Sequence, residues 1–261
     1  MGEVDARESG FIAALGARAI LLSAIRGPEW MDWHLSRQAT KLERHRGDSS
    51  RWIRARRTKA PLDTVSKTKL RLALPEDAAA IAAIYAPVVS ETATSFEVVP
   101  PDATEMAQRI STISERYPWI VADDNGAVLG YAYGSTHRAR YAYQWSAEVS
   151  AYVHADHHRK GLGRALYESL FEILALQGYR SAFAGLTLPN QASEEFHKSL
   201  GFSVIGVFHN IGYKNNEWHD TLWLERQLAP YDVDIPPPRA MTEVLSDPAF
   251  QSALASGEKF L

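Results

Sequence analysis

Cysteine is missing altogether from this chain of 261 residues. Its absence excludes disulfide bridges, zinc sites built on thiolates and any mechanism that uses a cysteine nucleophile. The chain also lacks an apolar run near the roughly 20 residues that cross a bilayer, so we expect no membrane-spanning helix and no membrane partner. A chain without cysteine is compatible with a reducing compartment, and we predict a cytoplasmic protein.

Charge is distributed unevenly along the chain, although the net charge is only −3. The first 69 residues hold 14 Lys and Arg against 8 Asp and Glu, whereas the remaining residues hold 14 against 23. This change predicts a boundary near residue 69. We expect residues 1–68 to be a basic leader, disordered or partly helical, with a nucleic-acid-binding patch at residues 34–59 as the alternative.

Hydrophobic periodicity between residues 69 and 228 predicts one domain that mixes strands and helices. The predicted strands are 70–74, 119–122, 128–134, 147–153, 181–188, 202–208 and 218–227, and the predicted helices are 75–85, 101–115, 161–177 and 192–200. This order favours an α/β or α+β sandwich. Beyond it, we expect residues 229–261 to be a proline-rich spacer and a frayed tail, with one small helix at 241–256.

Segment 148–164 is predicted to run from a strand through a glycine-containing loop into a helix. Gly161 and Gly163 allow backbone N–H groups to point into one small space, and the helix that follows adds its positive end. Three side chains add further positive charge, namely Arg159, Lys160 and Arg164. The loop is therefore a candidate pyrophosphate site, although glycines at such a turn also occur for geometry alone.

Two common nucleotide-binding motifs do not match this loop. A Walker motif needs Gly-Lys followed by Ser or Thr, whereas Arg164 and Ala165 follow Gly163. A dinucleotide fingerprint needs a third glycine at position 166, which is Leu166. The pattern Arg/Gln-x-x-Gly-x-Gly/Ala does match, apart from His158 in its first place. This pattern resembles the acetyl-CoA loop of the GCN5-related N-acetyltransferases, the GNAT superfamily.

Other segments extend the resemblance over residues 69–228. They are Arg116-Tyr117-Pro118-Trp119, residues 139–148, Leu188-Pro189-Asn190, residues 196–202 and residues 212–220. In this order they are similar to the phosphinothricin and methionine sulfoximine N-acetyltransferases. The resemblance implies a GNAT fold, which has a central mixed, mostly antiparallel sheet flanked by helices and two strands that splay at the acetyl-CoA site. It also implies acetyl-CoA as co-substrate, a small amino-acid-like second substrate and a homodimer.

The resemblance and the loop together indicate which residues would bind the coenzyme. Backbone groups of Tyr152, Val153 and His154 are expected to bind pantetheine. The pyrophosphate is expected to lie against His158, Arg159, Lys160, Gly161, Leu162, Gly163 and Arg164. Asn190 is expected either to contact the coenzyme or to cap the helix that follows it.

Acetyl transfer to an amine needs a base, because an amine attacks a thioester only when it is neutral. Glu148 is the first candidate, and its alternative role is a strand carboxylate paired with a nearby arginine. His197 is the second candidate, and its alternative role is to pack against the core. A backbone N–H near Val153 is expected to stabilise the oxyanion, and no covalent enzyme intermediate is required.

Substrate recognition is expected to use one arginine and two aromatic side chains. Arg140 would bind a carboxylate, phosphinate or sulfoximine group, and Phe96 and Tyr143 would shape the pocket. Arg138 is expected to be solvated. The cluster of His154, His157 and His158 lacks a second group of ligands at a workable spacing, so we expect no metal.

Two other functions stay open from the sequence. The first is a non-catalytic acyl-CoA-binding or nucleic-acid-associated regulator that uses the basic leader, although we do not expect a nucleic-acid partner. The second is a protein acetyltransferase with the same coenzyme site.

Overall fold

The computed structural model describes residues 68–261, so the expectations for the basic leader lie outside the described residues. In this part of the chain one sheet contains β1 (Lys69–Leu72), β2 (Trp119–Asp124), β3 (Ala127–Thr136), β4 (Ser146–Val153), β5 (Ser181–Thr187), β6 (Ser203–Lys214) and β7 (Glu217–Gln227). The helices are α1 (Ala78–Glu91), α2 (Ala103–Ser114), α3 (Leu162–Gln177), α4 (Gln191–Ser199), α5 (Met241–Val244) and α6 (Phe250–Ala255).

The strand order of the sheet is β1-β2-β3-β4-β5-β7-β6. Neighbouring strands are antiparallel, except that β4 and β5 are parallel. Residues 146–148 of β4 pair with residues 181–183 of β5, and the pairing stops after Glu148. The predicted mixed, mostly antiparallel sheet with two separating strands is therefore confirmed.

Two hydrophobic cores cover the opposite faces of this sheet. Side chains alternate along a strand, so Ile120 and Ala122 of β2 join the core formed with α3, whereas Trp119 and Val121 join the core formed with α1 and α2. The sheet is thereby held rigid from both sides. This rigidity fixes the position of any side chain that projects from β4.

Helix α3 forms where its apolar periodicity predicted a helix. Its sheet-facing residues, which include Leu166, Leu170, Ile173 and Leu174, are all fully buried. Gly161 precedes the helix with φ of +86°, a left-handed conformation that glycine adopts without steric cost. The first N–H groups of α3 therefore begin at the predicted loop.

The structure differs from the sequence prediction at several places. Helix α1 begins at Ala78 and continues past the predicted end at residue 85 to Glu91. Strand β6 continues from the predicted end at residue 208 to Lys214, because the strand pairs with β7 as far as Lys214 and Glu217. The segment expected to fray after Leu228 is instead packed against the domain, and residues 241–256 contain two short helices, α5 and α6, rather than one. Their apolar residues Met241, Val244, Phe250 and Leu254 are buried in the α3 core.

Among the described residues, no helix combines the length and the hydropathy that a membrane span would need.

Candidate active site

A cavity of about 560 Å³ lies beside the point where β4 and β5 separate. Its walls include Phe96, Tyr133, His137, Arg138, Glu148, Ser150, Tyr152, Thr187 and Trp223. The cavity combines one carboxylate, one guanidinium and several aromatic rings. Such a combination suits a small, polar ligand that carries both an amine and an anionic group.

Glu148 projects into this cavity from β4, where its Cα pairs with Ser135 of β3. Its side chain is 35% exposed. Burial raises the pKa of Glu148 above its ordinary value, while the nearby charge of Arg138 acts in the opposite direction. A raised pKa makes this carboxylate a better proton acceptor than a fully solvated glutamate.

His137 is a close titratable neighbour of Glu148, and the sequence prediction missed it. Its Nδ1 lies 3.7 Å from Oε2 of Glu148, and its side chain is only 10% exposed. The imidazole stacks on Phe183 at 4.3 Å between ring centroids and contacts Trp223 edge-on. Burial and the charge of Arg138 lower the pKa of His137, so the ring is neutral at neutral pH.

The arginine in the cavity is Arg138 rather than Arg140. Arg138 lines the main cavity and two neighbouring depressions. Arg140 lines only one of those depressions, of about 210 Å³, together with Tyr143. Tyr143 also borders a second depression of about 510 Å³ that includes His137. Arg138 is exposed, as expected, but it also lines the cavity because antiparallel pairing brings the end of β3 beside Glu148.

Phe96 lines the cavity as predicted from the resemblance, and a buried lysine supports the loop that carries it. The ammonium of Lys214 donates hydrogen bonds to the carbonyls of Val89 at 2.7 Å and Ser95 at 2.6 Å. The Ser95 hydroxyl is also 2.7 Å from the hydroxyl of Tyr85. These bonds attach the end of α1 and the following loop to β6.

The free edge of β4 faces the predicted coenzyme loop. The N–H of His154 bonds to the carbonyl of Leu129 in β3 at 2.9 Å. Because backbone groups alternate along a strand, the N–H groups of Ala151 and Val153 point to the other edge. In the described part of the chain, no strand pairs with that edge beyond Glu148. The edge can therefore bind the amides of an extended ligand.

Several predicted coenzyme residues have protein contacts of their own. Nε2 of His158 donates to the carbonyl of Val153 at 2.9 Å, and the ammonium of Lys160 donates to the carbonyl of Asp156 at 2.9 Å. The side-chain oxygen of Asn190 accepts the N–H of Ser193 at 3.2 Å and so caps α4. These bonds give the segment from Val153 to α3 a defined shape.

The remaining predicted coenzyme residues of the loop differ in their surroundings. Arg159 is exposed and has a positive φ of 60°. Arg164 donates to the carbonyl and the hydroxyl of Ser199 at 3.2 and 3.0 Å. His154 is also exposed, and its Nδ1 accepts the N–H of Asp156.

His197 does not line the cavity that contains Glu148. It is 5% exposed and lies among Tyr167, Phe196 and Phe202. Its Nδ1 donates to the carbonyl of Ser193 at 2.7 Å, so its Nε2 accepts the hydroxyl of Tyr167 at 3.2 Å. Burial lowers the pKa of His197. The structure thus separates the two predicted bases, placing one in the cavity and the other in the core.

No three His, Asp or Glu side chains within residues 68–261 converge as the ligands of a metal ion would. The site is instead defined by a carboxylate in a cavity, an open strand edge and a glycine loop at a helix N-terminus.

Residues 70–223 match the model of the acetyltransferase (GNAT) domain, and the chain belongs to this family of acetyltransferases. It is 34% identical over 177 residues to a phosphinothricin N-acetyltransferase of Streptomyces viridochromogenes. This alignment covers 67% of this chain and 94% of the relative. It is also 34% identical over 164 residues to an L-methionine sulfoximine/L-methionine sulfone acetyltransferase of Salmonella typhimurium. That alignment covers 61% of this chain and 94% of the relative.

A solved structure shows the same fold. The phosphinothricin acetyltransferase of Sinorhizobium meliloti, in complex with acetyl-CoA, superposes with a TM-score of 0.61 at 35% identity. The match covers 66% of this chain and 93% of that one. The resemblance that the sequence motifs indicated is therefore confirmed.

Proposed function

We propose that this acetyltransferase moves the acetyl group of acetyl-CoA directly to the amino group of a small amino-acid-like substrate, such as phosphinothricin or methionine sulfoximine. The observation that carries the proposal is the presence of Glu148 and Arg138 in one cavity beside the open edge of β4. Two of the named relatives are acetyltransferases of such amino acids.

The residues around the loop fit acetyl-CoA. The Ala151 backbone groups on the open edge suit a pantetheine amide, and the N–H groups that begin α3 suit the pyrophosphate. Acetyl-CoA supplies an activated acetyl thioester. Arg159 and Arg164 add positive charge, and Asn190 caps the start of α4 nearby. The surface itself is shaped by Tyr152, His154, His158, Lys160, Leu162 and Gly163.

Glu148 is the proposed proton acceptor. An α-ammonium group in the cavity would lie close to a carboxylate whose pKa is raised by burial. Removal of the proton, directly or through one water molecule, exposes the lone pair that attacks the thioester. His137 is neutral and packs beside Glu148, with its Nδ1 3.7 Å from the carboxylate and without a hydrogen bond to it, while His197, buried elsewhere, supports α4.

The oxyanion of the tetrahedral intermediate needs a hydrogen-bond donor. The N–H of Val153 points to the open edge of β4 and has no partner strand in the described chain. A rigid strand amide of this kind is already oriented before charge develops, which is how oxyanion holes lower a barrier.

The anionic end of the substrate would bind at the mouth of the cavity. Arg138 offers a planar fork of donors there, and Phe96 and Tyr133 limit the width of the cavity. Arg140 and Tyr143 border the adjoining depression and would contact a longer substrate.

We include a homodimer and a cytoplasmic location in the proposal. Edge strand β6 and the start of β7 expose the apolar residues Ile205, Phe208, Ile211, Tyr213 and Trp218. Since Phe208 and Ile211 also line the cavity, a second copy on this face would help to close it. Sedimentation of the purified chain tests the dimer, and cell fractionation tests the location.

A thiol-release assay with acetyl-CoA and a panel of amino acids and analogues tests the proposed activity. We expect turnover with an L-amino acid that carries a second anionic or tetrahedral polar group. Peptides with a free N-terminus serve as the comparison. Turnover of peptides alone would replace the proposal by a protein acetyltransferase, and heat of coenzyme binding without turnover of any amine would indicate a non-catalytic acyl-CoA-binding protein.

A further inference from the structure

The C-terminal segment, residues 229–261, lies outside the family match, which ends at residue 223. The indole of Trp145 donates to the carbonyl of Pro236 at 2.9 Å. The N–H of Arg239 then bonds to the carbonyl of Gln177 at 2.8 Å, and its guanidinium donates to the carbonyl of Leu176 at 2.6 Å. The segment therefore reaches the C-terminal end of α3 and binds the carbonyls that end this helix.

From there the segment follows α3 back toward its N-terminus. The hydroxyl of Ser169 donates to the carbonyl of Leu254 at 2.6 Å and accepts the N–H of Gly257 at 3.0 Å. A Cβ atom on Gly257 would collide with the carbonyl oxygen of Ala165. Positions 161, 165 and 169 lie one turn apart on one face of the helix, so the segment runs along this face.

Residues 258–261 lie against the coenzyme loop. A Cβ atom on Gly161 would collide with the carbonyl oxygen of Phe260, so the two backbones are in direct contact. The guanidinium of Arg164 lies over the Phe260 ring at 5.5 Å from the centroid. Glu258 accepts the N–H of Leu70 at 3.0 Å, which attaches the segment to β1 as well.

We infer that residues 257–261 are a positioning element of the acetyl-CoA site, because they hold Gly161 and Arg164 in the arrangement that binds the pyrophosphate. The inference rests on the proposed function, in that it assigns the coenzyme to this loop. A loop that binds an anion through several N–H groups loses affinity when its shape varies, since each group must then be ordered on binding. Substitution of Phe260 or Gly257 should therefore weaken coenzyme binding.

Three variants of the full chain test this role. Phe260→Ala removes the ring beneath Arg164, deletion of residues 260–261 also removes the backbone contact with Gly161, and Gly257→Ala forces the segment away from Ala165. Calorimetry should show a dissociation constant for coenzyme A that rises about fivefold to tenfold, with the deletion and Gly257→Ala at the upper end. Phe260→Tyr, which keeps the ring, should bind coenzyme A as the parent does.

Kinetics and a matched control separate positioning from general destabilisation. The KM for acetyl-CoA should rise in parallel with the dissociation constant, while kcat at saturating acetyl-CoA stays unchanged. Met241→Ala removes a buried side chain of the same segment at the other end of α3. It should lower the melting temperature without changing coenzyme affinity. Equal loss of affinity in Met241→Ala would overturn the inference.

Hydrogen exchange of the loop amides, measured without coenzyme, distinguishes this inference from the proposed function. Deletion of residues 260–261 should speed exchange at residues 158–164 and leave β2 and β3 unchanged. Unchanged exchange at the loop, or tighter coenzyme binding after the deletion, would overturn the positioning role. Absence of coenzyme binding by the unaltered chain would instead refute the proposed function.

Discussion

Replacement of Glu148 by glutamine tests the proposed proton acceptor with little change in shape. At pH 7 at most about a fifth of an α-amino group is neutral, even with the pKa of a peptide N-terminus, and a free amino acid has less. A positioned base contributes about 10²–10⁴-fold to such a reaction. Because 35% of the Glu148 side chain is exposed, water can take over part of the role. We therefore expect kcat/KM to fall about 10²–10³-fold, which corresponds to about 3–4 kcal/mol.

The pH dependence gives this prediction its sharper form. Below the raised pKa of Glu148 the carboxyl group is protonated and cannot accept a proton, so kcat/KM of the parent should rise with pH through that value. The kcat/KM of Glu148→Gln should not show this rise. Its loss of kcat/KM relative to the parent should become smaller at alkaline pH, where the substrate amine is deprotonated without a base.

The assay is initial-rate thiol release between about pH 4 and about pH 9.5, a range that begins near the ordinary pKa of a glutamate carboxyl group and ends above that of a peptide amino group. Glu225→Gln is the matched control, since Glu225 is an exposed strand carboxylate that does not line the cavity. An equal deficit at pH 7 and at pH 9.5 would show that Glu148 positions the substrate and does not accept its proton. Full activity at pH 7 would exclude both roles.

Three further predictions concern substrate binding and stability. Arg138→Ala should raise the KM for the amino acid at least about tenfold, as expected for the loss of a charge-assisted hydrogen bond. Arg140→Ala should raise this KM less. The reverse order in steady-state kinetics would assign binding of the anionic group to Arg140. Lys214→Met should lower the free energy of unfolding in urea by about 1–3 kcal/mol, because two buried carbonyls lose their donor, and an unchanged midpoint would contradict this. Because burial lowers the pKa of His197 in the folded protein, the unfolded chain binds one more proton below about pH 6.5. The free energy of unfolding should therefore fall as the pH falls, and it should fall less steeply in His197→Gln. Equal pH slopes of the two proteins in urea titrations would exclude His197 as the cause.

Local patterns predicted most of the elements and the loop. Helix α3 could be identified because its apolar residues recur at helical spacing and a glycine precedes and follows it. Strand β4, which carries Glu148, could be identified because small apolar and polar side chains alternate along it. These features depend on neighbours in the chain, and such neighbours are visible in a sequence.

The composition of the cavity could be predicted only in part. Glu148 and Phe96, both predicted for the site, line it, as does Tyr152, which was predicted to bind pantetheine. His137 and Arg138 come from a stretch with no pattern of its own. Their position follows from the antiparallel register that pairs Ser135 with Glu148. A one-residue shift of that register would turn different side chains toward Glu148, and the sequence does not state the register.

The amino-acid sequence by itself determined the family, the glycine loop, the strand carboxylate and the order of the elements, because each depends on short-range geometry or on motifs in linear order. Tertiary structure alone decided that Arg138 rather than Arg140 enters the cavity, that His197 is enclosed by aromatic rings, and that the C-terminal segment reaches Gly161. These three outcomes depend on contacts between residues far apart in the chain. The free energy of such contacts comes from burial and hydrogen bonding in the folded molecule, and no local pattern encodes it.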